Sequence, residues 1–139
     1  MAMKRSAPRI VLTSRDFTRL EALLGSLPAH AVPGKEALEA ELARAEVVEP
    51  EAIPPDVVTM NSTVRFTIAE EGEFRLTLVY PKDVGGEYER ISVLAPVGSA
   101  LLGLSVGDEI EWPRPGGGRS IVRVTDVVYQ PERSGDLHR

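Results

Sequence analysis

The run Ile91-Ser92-Val93-Leu94-Ala95-Pro96-Val97-Gly98-Ser99-Ala100-Leu101-Leu102-Gly103, followed by Val106-Gly107-Asp108, decides the fold. A strand-like stretch meets Pro96, a short apolar helical turn follows, and Gly103 stops it. Proline suits the first turn of a helix, where its missing N–H has no partner to lose. Next come a Gly-Asp turn, a strand over Glu109 to Trp112, a hairpin at Pro115-Gly116-Gly117-Gly118 and a last strand over Ser120 to Val128. Upstream, Val64, Phe66 and Ile68 alternate with Thr63, Arg65 and Thr67. After a turn at Glu70-Glu71-Gly72, the residues Phe74, Leu76, Leu78 and Tyr80 alternate with Arg75, Thr77 and Val79. Period two is the signature of strands with one face buried. A further strand is expected around Tyr88 to Val93. One short helix on a mostly antiparallel sheet is an α+β architecture.

Toward the N-terminus the period becomes helical. Phe17, Leu20, Leu24 and Leu27 form one apolar stripe over residues 13 to 27, with Thr13 or Ser14 as cap and Asp16 suited to the first turn. Gly25, Pro28, Pro33 and Gly34 interrupt, and a second helix is expected from Lys35 to Ala45, with Leu38, Leu42 and Ala45 on one face and Glu41/Arg44 as a surface pair. Two such helices with a short connection most simply make an antiparallel hairpin. Their narrow stripes must cover each other or pack on the next domain. Pro50, Pro54 and Pro55 favour an extended linker. The expected organisation is a helical hairpin over 1–49, a proline-rich linker over 50–56 and a domain over 57–139. The last ten residues read as a tail that frays.

Composition restricts the chemistry. A net charge of −5 over 139 residues disfavours direct binding to nucleic-acid phosphates, because the Lys and Arg residues are scattered; a protein partner fits better. The absence of cysteine removes disulfides and thiolate chemistry, and His30 and His138 have no partner at metal-ligand spacing, so neither metal nor cofactor is expected. Ile10-Val11-Leu12 is too short for a leader segment, and no run approaches the ~20 apolar residues of a bilayer span. A soluble, cytoplasmic protein without membrane contact is expected, with a monomer favoured. The glycines at 116–118 lie between strands with no Lys-Ser/Thr after them, so a tight turn explains them better than a phosphate loop.

The order of the run around Pro96 resembles the C-terminal domain of the Gre-type transcript-cleavage factors of bacterial RNA polymerase, which has an FKBP-like fold. Four separated motifs extend the likeness: Asp56-Val57-Val58-Thr59-Met60-Asn61-Ser62, Leu78-Val79-Tyr80-Pro81, Ala95-Pro96-Val97-Gly98 and Tyr129-Gln130-Pro131-Glu132. Together they are similar to the Rnk family, the regulators of nucleoside diphosphate kinase, which join a short helical hairpin to a Gre-like domain. The resemblance implies binding to RNA polymerase at the rim coiled coil of its secondary channel, in competition with Gre factors. It also implies an indirect effect on nucleoside diphosphate kinase level. Within that likeness Ser92, Leu94, Ala95, Pro96, Val97 and Gly98 are the polymerase-binding candidates. A corner holding Ala95, Pro96 and Val97 presents rigid apolar surface at low entropic cost, although Pro96 is explained equally as a helix start.

Gre factors carry carboxylates at the tip of a long coiled coil, where they help hold a catalytic magnesium ion. Here helices of about 11 to 15 residues reach only about 17 to 22 Å at ~1.5 Å per residue. The segment from Gly25 to Gly34 contains no Asp or Glu. No transcript cleavage, and no enzyme activity, is therefore expected. His30 at this tip is explained by an ordinary water-facing loop position. Two alternatives stand beside this reading: a prolyl isomerase, by analogy of fold, and a direct binder of a metabolic kinase. Three Phe, three Tyr and one Trp make an aromatic-lined proline pocket hard to build.

Overall fold

The computed structural model describes residues 10–27, 35–84, 89–113 and 118–135. The chain runs β1 (Val11–Thr13), α1 (Ser14–Gly25), α2 (Lys35–Arg44) and β2 (Glu46–Val48), then β3 (Thr63–Ile68), β4 (Gly72–Val79), β5 (Arg90–Ser92), α3 (Pro96–Leu101), β6 (Glu109–Pro113), β7 (Arg119–Tyr129) and α4 (Pro131–Ser134). The result is a mixed α+β fold around a five-stranded sheet of order β5-β4-β3-β7-β6.

Most of the sheet is antiparallel, with β3 between β4 and β7 and β6 beside β7. The edge strand β5 runs parallel to β4, pairing Thr77 with Arg90 and Val79 with Ser92. Three residues are too few to reveal a strand's direction in the sequence. Glu70 takes a left-handed φ of 70° and Gly72 one of 110°, closing the β3–β4 turn. Alternation holds on β3, where Val64, Phe66 and Ile68 are buried; on β7 a register shift against β3 moves the buried set from Val122 and Val124 to Val127, and on β4 Val79, expected to face outward, is buried beside Leu78. Phe66 and Phe74 stack at 5.6 Å across β3 and β4.

The helical stripes also hold. Leu20, Leu24, Leu38 and Leu42 are buried, and Phe17, Leu27 and Ala45 pack partly against the same core. That core is continuous with the sheet and α3, and α2 touches α3 directly. Thr13 caps α1 by accepting the Asp16 N–H at 3.0 Å. Arg44 and Glu41 make the surface pair at 2.7 Å.

Three elements depart from the sequence reading. No strand is expected within 1–49, yet β1 pairs in parallel with β2, and Ile10 and Leu12 are fully buried. This base is stitched on by Val11 N–H donating to the Gly103 carbonyl and Glu46 N–H to that of Ile10. Gly103 needs its φ of 81°, and a Cβ there would press on the Ile10 side chain at 2.7 Å. The proline segment is packed, not bare: Pro50–Ala52 forms a 3₁₀ turn and Ile53 is buried. The start of the last ten residues does not fray either. Gln130 is fully buried, and Nε2 donates to the carbonyls of Pro54 at 2.9 Å and Val57 at 2.8 Å, while Oε1 caps α4 through the Arg133 N–H. Residues 136–139, including His138, lie outside the described residues, as do Tyr88 and the turn at 114–117.

Candidate functional site

Ser92 ends β5 and begins a tight corner. Its hydroxyl accepts the Leu94 N–H at 3.0 Å, its carbonyl accepts the Ala95 N–H at 3.0 Å, and Val93 N–H donates to Val79 across the sheet at 2.9 Å. Ala95 precedes the helix in extended conformation, and Pro96 takes the first helical position with no side-chain cap behind it. Ser99 N–H then returns to the Ala95 carbonyl at 2.9 Å. The corner is thus fixed by backbone bonds on both sides, the rigidity that a binding patch requires.

The six candidates divide by burial. Gly98 is buried, and a Cβ on it would collide with the Ser92 carbonyl oxygen, so this residue lets strand and helix meet and offers no contact surface. Ser92 is half-buried with its hydroxyl engaged. Leu94, Ala95 and Val97 are half-buried, with Leu94 and Val97 leaning on the core; the ring of Pro96 lies outside the described side chains. Among the described side chains of this corner, Leu94, Ala95 and Val97 keep partly exposed apolar surface.

The other quoted motifs serve as joints. Asp56–Ser62 carries four consecutive buried residues, Val57 to Met60. The Thr59 hydroxyl lies 2.9 Å from that of Ser62 and donates to Glu132 Oε1 at 2.8 Å, tying this segment to α4.

Across the junction between α1 and the sheet lies a cluster that the sequence did not announce. Asp16 is 2% exposed, and its Oδ2 accepts the Met60 N–H at 3.0 Å. Burial, helped by the nearby Glu132, pushes its carboxyl up to about 7, against the pull of the Met60 N–H, Arg19 and Arg15. The Tyr80 hydroxyl beside it is buried next to Arg19, and burial, helped by Asp16, raises its pKa against the pull of Arg19. An acidic residue in a first turn reads as a dipole partner; only the fold shows it turned inward.

Next to this cluster a cleft of about 930 Å³ opens between Arg19, Ala22 and Leu23 of α1 and the Val79–Asp83 stretch, with Arg90 on its wall. Arg90 Nη1 donates to the Asp83 carbonyl at 2.8 Å. Among the described residues no His, Cys, Asp and Glu cluster could hold a metal ion, and no helix is long and apolar enough to cross a membrane. His30 and most of the predicted tip, 28–34, lie outside the described residues.

Comparison with known proteins places both halves. Residues 8–48 match the family model "Rnk N-terminus", and residues 53–129 match "Transcription elongation factor, GreA/GreB, C-term". The chain is 48% identical over 133 residues to the regulator of nucleoside diphosphate kinase of Escherichia coli K12, covering 94% of this chain and 97% of that protein. A transcription elongation factor GreA from Nitratiruptor is 37% identical over 91 residues, 65% of this chain but only 55% of the relative. Among solved structures, a prokaryotic transcription elongation factor GreA/GreB from Nitrosomonas europaea superposes with a TM-score of 0.69 at 63% identity, covering 88% of this chain and 99% of that one.

Proposed function

Because the chain belongs to the family of regulators of nucleoside diphosphate kinase, with a GreA/GreB-type C-terminal domain, we propose that it is a non-enzymatic regulator of RNA polymerase. It docks at the secondary channel through an FKBP-like head, residues 57–139, and places a short antiparallel helical arm, residues 1–49, at the entrance. There it competes with Gre-type factors and stimulates no transcript cleavage. Its effect on nucleoside diphosphate kinase level follows indirectly from transcription.

The observation that carries this reading is the pairing of a Gre-type head with an arm too short for a cleavage factor. α1 has 12 residues and α2 has 10, so at ~1.5 Å per residue they extend only about 18 and 15 Å. The aligned GreA relative has nearly half of its length outside the match. The sequence from Gly25 to Gly34 also lacks any carboxylate to hold a metal ion at a phosphoryl centre. The rigid Leu94–Val97 corner supplies the docking surface, with Ser92 and Gly98 shaping it.

Co-elution with core polymerase on a sizing column, repeated with a competing Gre factor, tests the proposal. Wild type should bind and be displaced by the competitor, whereas Pro96→Asp should bind at least ~10-fold more weakly, as expected for a charge forced into an apolar contact. Unchanged affinity for that variant would refute the docking assignment. Accelerated RNA cleavage in a backtracked complex would refute the non-enzymatic role.

A further inference from the structure

The cleft beside α1 shares no lining residue with the corner at Ser92 to Gly98. The chain carries a net charge of −5, yet Arg19, Lys82 and Arg90 line this concavity, with Asp83 as the acidic residue among the described lining groups. Lys82 reaches Asp83 only at 3.5 Å, with its side chain 81% exposed, so little of its charge is neutralised there. Arg90 is already ordered by its bond to the Asp83 carbonyl, which lowers the entropic cost of engaging a ligand. Leu23, Val79 and Pro81 supply apolar lining between these cations. A volume of about 930 Å³ falls in the range of small-molecule sites, which are mostly apolar with a few placed polar groups.

We propose that this cleft binds a small phosphorylated ligand carrying a planar or apolar body, the chemistry of a nucleoside polyphosphate. The guanidinium forks of Arg19 and Arg90 and the Lys82 ammonium meet the phosphates, since planar forks match phosphate oxygens in pairs. The apolar lining takes the body of the ligand. An acidic polypeptide is the less suitable occupant, because the feature is a bounded concavity between one helix and one strand end, not an extended groove. A ligand seated there touches both α1 and the sheet, so binding stiffens the junction between arm and head.

The test uses the full chain alone, by calorimetric titration in magnesium-free, low-salt buffer, with ATP, inorganic tripolyphosphate and adenosine as probes. ATP should bind and raise the melting temperature, and tripolyphosphate and adenosine should each bind at least ~10-fold more weakly, because each lacks half of the recognition. Arg90→Ala and Lys82→Ala should each weaken ATP by about 3- to 10-fold, the loss of one exposed charge-assisted contact. Asp83→Asn should strengthen it. Arg123→Ala, whose partner Glu109 lies 2.9 Å away on β6, should leave it unchanged. Circular dichroism confirms that each variant folds. Absence of ATP binding at millimolar concentration overturns the proposal, as does ATP affinity insensitive to both cation variants. Equal affinity for tripolyphosphate also overturns it, leaving only a non-selective anion patch. Polymerase takes no part in these measurements, so their failure is independent of the docking reading.

Discussion

Replacing Asp16 by asparagine should stabilise this protein at alkaline pH and do nothing of the kind at acidic pH. In the folded chain the Asp16 carboxyl sits at about 7, against 3.8 for an exposed aspartate. The native state therefore keeps a proton that the unfolded chain releases, and stability falls as pH rises from about 4 through about 7. Integrated over that window, the cost of ionising the buried group is at most about 4 kcal/mol, at 1.36 kcal/mol for each pH unit of displacement. Asparagine removes the titration and keeps an oxygen to accept the Met60 N–H, which Asp16 now holds at 3.0 Å. Its extra amide N–H pair offsets part of the gain, by about 1 to 2 kcal/mol if left unpartnered. A net gain of about 2 kcal/mol at pH 8 corresponds to about 7 °C in melting temperature for a chain of this length. Near pH 5 only about 1.6 kcal/mol of the ionisation cost has accrued, at 1.36 kcal/mol per pH unit above 3.8, so the amide cost of about 1 to 2 kcal/mol cancels the gain. Thermal melts of wild type and Asp16→Asn from pH 5 to 8 isolate the effect, because other titrating groups cancel in the difference. A difference that does not change with pH would refute the reasoning.

Other substitutions probe the joints of the fold. Gly98→Ala forces a methyl group into the Ser92 carbonyl oxygen and should cost about 1 to 3 kcal/mol, seen as a lower denaturation midpoint. Gln130→Ala leaves the buried Val57 carbonyl and the part-buried Pro54 carbonyl without their donor and should cost about 1 to 3 kcal/mol in the same assay. Gly103→Ala combines an unfavourable left-handed φ with pressure on Ile10; β1 amide protons should lose hydrogen-exchange protection before those of β7. Pro96→Asp should leave melting within a few degrees of wild type while weakening polymerase binding, which separates docking from folding.

Where apolar residues recur with a clear period, sequence and structure agree. The stripe Leu20-Leu24, the face Leu38-Leu42 and the alternation Val64-Phe66-Ile68 are all buried, because burial of those side chains is what makes the element stable. The strand-to-helix corner at Ser92 to Gly98 was legible too, since proline and glycine restrict the backbone locally. Among the six candidate contact residues, sequence alone did not separate Gly98, which packs, from Leu94 and Val97, which keep some exposed surface. That distinction depends on how closely the start of α3 folds back on the Ser92 carbonyl and on Leu78 of β4.

Local order in the chain therefore determined the α+β class, the helices, the long strands and the family likeness, all of which leave a periodic or motif signature along the sequence. Tertiary structure alone decided the parallel pairing of β1 with β2, the docking of Gln130 under the Pro54–Val57 segment and the inward turn of Asp16 toward Met60. The cationic cleft belongs to the same class, since Arg19 and Arg90 are 71 positions apart in sequence and line one cleft only where α1 meets the sheet. Short strands, buried polar groups and charge clusters carry no periodic signal; their free energy comes from partners that chain folding brings together.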